Sequence, residues 1–212
     1  MRSGIKRFLL GYMAKYSAWK HGIALISEKS TIRHVKFDKS TRGDSQTVNI
    51  FSGGVIDVCD FVLRGCGTII EIGNNVNIHH TQFWVEDDNN SIIIGNGVTM
   101  EGGHIAVTGH NKKIVIGDDC MISNNVTIRT GDSHAILQDE IKINEEADVI
   151  IGKHVWIGNG ATILKGVHIE DGAVIGSGSI VTTDVEANTI YAGNPVRKVK
   201  SNILWTRKRF TE

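Results

Sequence analysis

Ile-Gly pairs begin at residues 72, 94 and 116, then at 151, 157 and 175, and from Ile151 onward the sequence keeps a six-residue beat. It reads IGKHVW, IGNGAT, ILKGVH, IEDGAV, IGSGSI, VTTDVE, each hexad opening on an aliphatic residue, with a small or aliphatic residue at its fifth position. The pattern appears earlier as IGNNVN, IGNGVT and IGDDCM, spaced by 22 residues, and continues through ISNNVT and IRTGDS. A helix with a period of 3.6 cannot keep a six-residue beat on one face, and Val, Ile and Thr with glycine at the turns select short strands. The period is that of a parallel β-helix, in which three sides of about six residues make a triangular coil and coils stack at roughly 4.8 Å. The opening aliphatic residue should point inward, the fifth residue should sit near a corner, and glycine supplies the positive φ of the bends. A spacing of 22 is then one coil of about 18 residues plus four more. A β-sandwich or barrel would space its strands irregularly or at about 8–12 residues.

An open β-helix exposes its end coils, so both ends need covers. Ile5, Phe8, Leu9, Tyr12, Met13, Tyr16 and Trp19 recur at helical spacing and predict an amphipathic N-terminal helix, packed on the first coil or on a neighbouring subunit. Basic residues among these aromatics also suit a membrane surface. The expected organisation is a helix and capping segment over 1–45, the β-helix over 46–190 with a loop at 131–148, and a C-terminal cap with a short helical, basic tail over 191–212.

Formal net charge is zero, which argues against a nucleic-acid binder, but the ends are basic: Arg2, Lys6, Arg7, Lys15 and Lys20 come with no acid before His21. Three cysteines without a CxxC pair suggest neither a disulfide framework nor a zinc knuckle. A cytoplasmic location follows as the expectation, with the inner face of the membrane as a variant of it. FLLGYM is too short for a signal-peptide core, and no apolar run is long enough to span a bilayer.

The hexads together with YAGNPVRKV resemble the hexapeptide-repeat acyltransferases over about residues 65–205. Within that family, IRTGDSH, VIIGKHVWIGNGATILKGV and SNILWTRK look like the bacterial polysaccharide O-acetyltransferases, particularly those of sialic-acid capsules. The resemblance implies an all-β, left-handed parallel β-helix, a homotrimer with active sites between subunits, and acetyl-coenzyme A as donor.

If hexads continued after IRTGDS, the next would begin at His134, yet the next clear one begins at Ile151. An excursion of this kind, thrown out from a rigid scaffold, is where sites usually lie. Acetyl transfer to a sugar hydroxyl needs a base to take the proton during attack, and imidazole titrates near neutral pH. His134 is the candidate base, and the family's loop histidine falls on this position. Asp132 can fix its tautomer or shape the turn, and adjacent Ser133 should point away, so direct transfer is expected in place of an acyl-serine route.

Trp156 occupies an outward hexad position and is carried over from the family as a third active-site residue, its indole suited to a sugar face or a pantetheine arm. The resemblance places the pantetheine along Gly158, Ala161, Gly176 and Thr182, and the coenzyme phosphates near Arg197, Lys198 and Lys200. No metal is expected. The reading is an O-acetyltransferase acting on a sugar hydroxyl of a bacterial surface polysaccharide or its precursor. Alternatives are transfer to a nucleotide-sugar amine or to a small-molecule hydroxyl, a metal-dependent hydratase using three of His79, His80, His104 and His110, and a non-enzymatic scaffold.

Overall fold

A computed structural model of the chain describes residues 2–27, 29–38 and 45–209. After the helix Arg2–Lys20 the chain winds through about seven triangular coils, and each coil adds one strand to each of three parallel sheets. The first face stacks Ile23–Ser27, Gln46–Ile50, Ile69–Ile72, Ser91–Ile94, Lys113–Ile116, Val149–Ile151 and His168–Ile169. The second runs from Thr31–Arg33 to Val174–Ile175 and ends on the hairpin Ile190–Gly193 and Val196–Lys200, and the third runs from Lys36–Asp38 to Ile180–Val181. Register follows the repeat, with Ile72 beside Ile94 and Ile94 beside Ile116.

The hexad rule explains the interior. The openers Ile72, Ile94, Ile116, Ile122, Ile128, Ile151, Ile157, Ile163, Ile169 and Ile175 are all buried, as are the fifth-position residues Val76, Val98, Cys120, Val155, Ala161, Val167, Ala173 and Ser179. Burial pushes the thiol of Cys59 up to about 11 and that of Cys120 up to about 12, so neither is poised as a nucleophile. In the first three coils the third face is filled by aromatics instead. Phe37, Phe61 and Phe83 stack with ring centroids 5.0 and 4.8 Å apart. The corner between the first and second faces is built from residues with positive φ, among them Asn75, Gly97, Asp119, His154, Gly172 and Asn188. Side-chain oxygens run up that corner, where Asn74 N donates to Asn96 Oδ1 and Asn96 N to Asp118 Oδ1, each at 2.8 Å.

The residues that lengthen the middle coils sit at one place, within the corner after the third face, which spans 86–90 and 108–112. The 131–148 loop leaves from that same corner one coil later. It is an enlargement of a feature the coils below already carry.

Three expectations need correction. The β-helix starts at Ile23 within the 1–45 segment, because Ile23–Ser27, Thr31–Arg33 and Lys36–Asp38 already pair with the next coil. Among its described side chains the N-terminal helix packs through Ala14 and Ala18, whereas Tyr12, Met13, Tyr16 and Trp19 are exposed at 55–72%. Small residues let the helix approach the flat coil closely, which the aromatics would prevent. The side chains of Ile5, Phe8 and Leu9 lie outside the described residues. The C-terminal cap is a β-hairpin whose second strand runs antiparallel on the last edge, followed by an extended segment, with no helix there among the described residues. An edge strand is covered most directly by another strand, since its free N–H and C=O groups are then paired. No described helix is long and apolar enough to cross a membrane.

Candidate active site

The third-face strand Val126–Arg129 delivers the chain to Thr130, whose hydroxyl is buried and donates to Thr108 O at 2.9 Å. Beyond it Ser133 takes φ 67°, and the backbone swings away from the coil with His134 exposed at the rim. The remainder of the loop is a small antiparallel hairpin of Leu137–Gln138 and Ile141–Lys142.

Asn144 organises this excursion. It is buried, its amide donates to His134 O at 2.8 Å and to Asp132 Oδ2 at 2.9 Å, and its Oδ1 accepts from Ile136 N at 2.7 Å. Lys165, from the coil above, donates to Asp132 Oδ2 at 2.5 Å and to Asn144 O at 2.9 Å. Asp132 therefore shapes the loop: its carboxylate is turned to Lys165 and Asn144 and makes no hydrogen bond with the His134 ring among the described residues. Those bonds, Lys165 first, hold its carboxyl below the ordinary 3.8. A folded-state value below the unfolded one stabilises fully above the ordinary value, and the contribution is lost as pH falls through the lower, folded value. Proteolytic cutting of the loop should accordingly be faster at about pH 2 than at about pH 5, and Asp132→Asn should remove most of that difference. Equal acid sensitivity in the variant would assign the effect to another group.

His134 faces a cleft of about 480 Å³ lined by Gln82, Trp84, Glu86, His104, Ala106, Thr108, Arg129 and Ser133. Gln82, Trp84, His104, Ala106 and Arg129 come from three stacked strands, with Gln82 beside His104 and Trp84 beside Ala106, while Glu86, Thr108 and Ser133 come from the segments that follow those strands. Arg64 lies over the Trp84 ring at 4.1 Å and pairs with Glu86 at 3.6 Å. Burial, aided by the charge of Arg129, pushes the His104 imidazole below its ordinary value, so it favours the neutral form. Arg129 donates from Nε to Gly131 O at 2.8 Å and from Nη2 to Ser133 Oγ at 3.2 Å, and has no acidic partner among the described residues. Of this set the sequence alone singles out His104, as a possible metal ligand; the 22-residue spacing that aligns Gln82 with His104 is the signal that groups the rest.

Trp156 lies elsewhere on the chain. It opens a strand of the second face, is 39% exposed, and has Trp205 beside it with ring centroids 5.9 Å apart. His134 leaves from the third face, so one chain presents the two on different sides of its triangle.

The expected donor residues divide. Thr182, Arg197 and Lys200 are exposed, and neither Arg197 nor Lys200 has an acidic partner among the described residues, which fits contact with phosphates. Lys198 is committed to Glu186 at 2.5 Å. Ala161 is fully buried, backbone included: its N–H donates to Gly158 O and its C=O accepts from Thr127 N, so it shapes the coil and offers this chain no ligand-facing surface. Gly158 and Gly176 are demanded by the neighbouring coils: a Cβ on Gly158 would lie 2.6 Å from Ser177 N, and one on Gly176 2.8 Å from Ala192 Cβ.

His79, His80, His104 and His110 do not gather, and among the described residues no three His, Cys, Asp or Glu side chains are grouped as for a metal ion.

Comparison with known proteins adds what the geometry leaves open. The bacterial transferase hexapeptide model, six repeats, matches residues 148–183, and the hexapeptide repeat of succinyl-transferase matches 114–129. The crystal structure of the polySia-specific acetyltransferase NeuO superposes with a TM-score of 0.78 at 30% identity, covering 90% of this chain and 88% of that one. This chain belongs to the hexapeptide-repeat acyltransferase family. Its coils are accordingly the left-handed kind found in these relatives. The polysialic acid O-acetyltransferase OatWY gives a TM-score of 0.76 at 30% identity over 90% of this chain and 93% of its own. Polysialic acid O-acetyltransferase of Escherichia coli O1:K1 / APEC is 38% identical over 91 residues, 42% of this chain and 30% of that protein. Galactoside O-acetyltransferase of Escherichia coli strain K12 is 41% identical over 87 residues, 39% of this chain and 41% of that one. The matched stretch thus spans about a third of the length of the curated relatives.

Proposed function

We propose that this family member transfers an acetyl group from acetyl-coenzyme A to a hydroxyl of an acidic bacterial surface polysaccharide or its precursor. The observation that carries the reading is the presentation of His134 at the rim of a cleft holding an indole, an imidazole that favours its neutral form, and a guanidinium in no ion pair among the described residues. His134 takes the hydroxyl proton as the oxygen attacks the thioester carbonyl, and collapse of the tetrahedral adduct expels the coenzyme thiolate, which receives a proton. The face of Trp84 suits the C–H face of a sugar. Arg129, without an acidic partner among the described residues, suits a carboxylate. The likeness to polysialic acid O-acetyltransferases supports both assignments. Because acetyl-coenzyme A is a cytoplasmic metabolite, the reaction belongs in the cytoplasm, and the exposed aromatics and Lys15 of the N-terminal helix suit contact with the inner face of the membrane.

Thiol release should be measured with sialic-acid polymers, neutral oligosaccharides, a nucleotide-sugar amine and free amino acids as acceptors. Turnover is expected with the acidic polymer at least about tenfold above the others. Turnover with the amine alone would overturn the O-acetyl reading.

The site is completed by a second copy. His134 and Trp156 sit on different faces of one chain, and the loop hairpin projects Ile136, Leu137, Ile141 and Ile143, each 55–68% exposed. An isolated two-stranded hairpin is marginal in water, so these aliphatics need cover from a neighbour. A homotrimer in which the loop of one copy reaches the second face of the next supplies it. His134→Asn and Trp156→Ala chains, each slow by itself, unfolded together in equal amounts and refolded as mixed trimers, should regain up to about a quarter of wild-type activity. Mixtures no faster than either parent would place both residues in one chain's site.

A further inference from the structure

Beyond Lys200 the chain turns back and runs as an extended strap along the corner between the first and second faces, crossing the coils in reverse order. Ile203 N donates to Asn188 O at 3.0 Å, Trp205 meets His154, and Arg207 meets Asp119 and then Thr99. The fastening is dense for so short a segment. Trp205 lies flat on the His154 ring, 3.9 Å between centroids and 8° between planes, and its Nε1 donates to His154 O at 2.8 Å. His154 is itself held, with Nδ1 2.6 Å from Asp119 Oδ2 and Nε2 3.1 Å from Trp205 O. Arg207 donates to Asp119 Oδ1 and Cys120 O at 2.8 Å and to Thr99 Oγ1 at 2.9 Å.

This strap is not a cover for the core. Leu204, its one aliphatic residue after Ile203, is 93% exposed, and the coil corner beneath is polar. What the fastenings place is the indole of Trp205 at 5.9 Å and 47° from that of Trp156, a residue 39% exposed on a strand two residues long. A large side chain on so short a strand has several rotamers open to it unless a neighbour blocks them.

We propose that Trp205 is a positioning residue: the strap, pinned through His154, Asp119 and Arg207, fixes the indole of Trp156 in the orientation used against bound substrate. This rests on the reading that Trp156 lines the active cleft. The test uses full-length Trp205→Ala, Trp205→Phe, Trp156→Ala and the Trp156→Ala/Trp205→Ala double variant, with steady-state kinetics and thermal unfolding on each. Trp205→Ala should lower kcat/KM for the acceptor about tenfold while the melting temperature stays within about 3 °C, and Trp205→Phe should recover most of the loss. In the double variant the second substitution should cost nothing further, because a residue acting through another is silent once that other is gone. Wild-type kinetics in Trp205→Ala, an undiminished effect in the Trp156→Ala background, or a loss that tracks melting temperature without rescue by phenylalanine would each overturn the proposal. Normal turnover in Trp156→Ala would instead remove the reading on which it rests, whereas a slow Trp156→Ala beside a normal Trp205→Ala would sink the positioning role alone.

Discussion

Replacing His134 with asparagine is expected to lower kcat by about 10² or more while leaving acetyl-coenzyme A binding within about twofold of wild type. Asparagine keeps the size and polarity of the side chain but cannot take up a proton, so the substitution removes the chemistry with little change to the surface. The backbone is indifferent to the exchange: it is His134 O, not the ring, that Asn144 holds at 2.8 Å, and the ring is exposed at the cleft rim. A fall in kcat without a fall in melting temperature is therefore the expected signature. Coenzyme binding, followed by calorimetry or by protection of the coils against heat, separates the chemical step from donor recognition. Turnover within threefold of wild type would remove His134 from the mechanism and turn attention to His104, the other imidazole lining the cleft.

The largest expected loss of stability comes from Phe61. It is fully buried in the third face of the second coil, between Phe37 at 5.0 Å and Phe83 at 4.8 Å. Phe61→Ala should cost about 3–5 kcal/mol, the removed ring area plus the cavity left between two rings that cannot close on each other while their strands stay in register. In a stack of coils each one contacts only its neighbours, so the loss should be local to the N-terminal coils. Hydrogen exchange should show amides of residues 31–38 and 45–63 opening first while those beyond Val149 keep their protection. Uniform loss along the chain would mean that the coils unfold as a single cooperative unit.

Much of the architecture is legible in the hexads because a β-helix is close to one-dimensional. Each coil repeats the same inward and outward alternation, so Ile151, Ile157 and Ile163 announce their own burial without knowledge of distant contacts. The early coils read less clearly. Their third face is filled by Phe37, Phe61 and Phe83 in place of the isoleucine openers, which hid the first coil inside an expected cap. The N-terminal helix is less legible for a related reason: apolar periodicity marks a face that can be buried, and among the described side chains Ala14 and Ala18 make the contact while Tyr12, Tyr16 and Trp19 are exposed.

At the site, the sequence by itself determined that the beat breaks at His134 and that a proton acceptor stands at the break. Family resemblance added Trp156, which a hexad pattern alone would pass as an ordinary outward residue. Only the tertiary structure decided what surrounds them. Arg129, His104 and Trp84 meet because coils stack, and Lys165 reaches Asp132 across 33 positions of sequence, so neither grouping has a local signature. Arg207 is joined to Thr99 across 108 positions by a strap whose path no repeat predicts. The repeat encodes its own packing because every coil sees the same neighbours, whereas loops and ends leave the repeat and take their places from whichever coil they happen to cross.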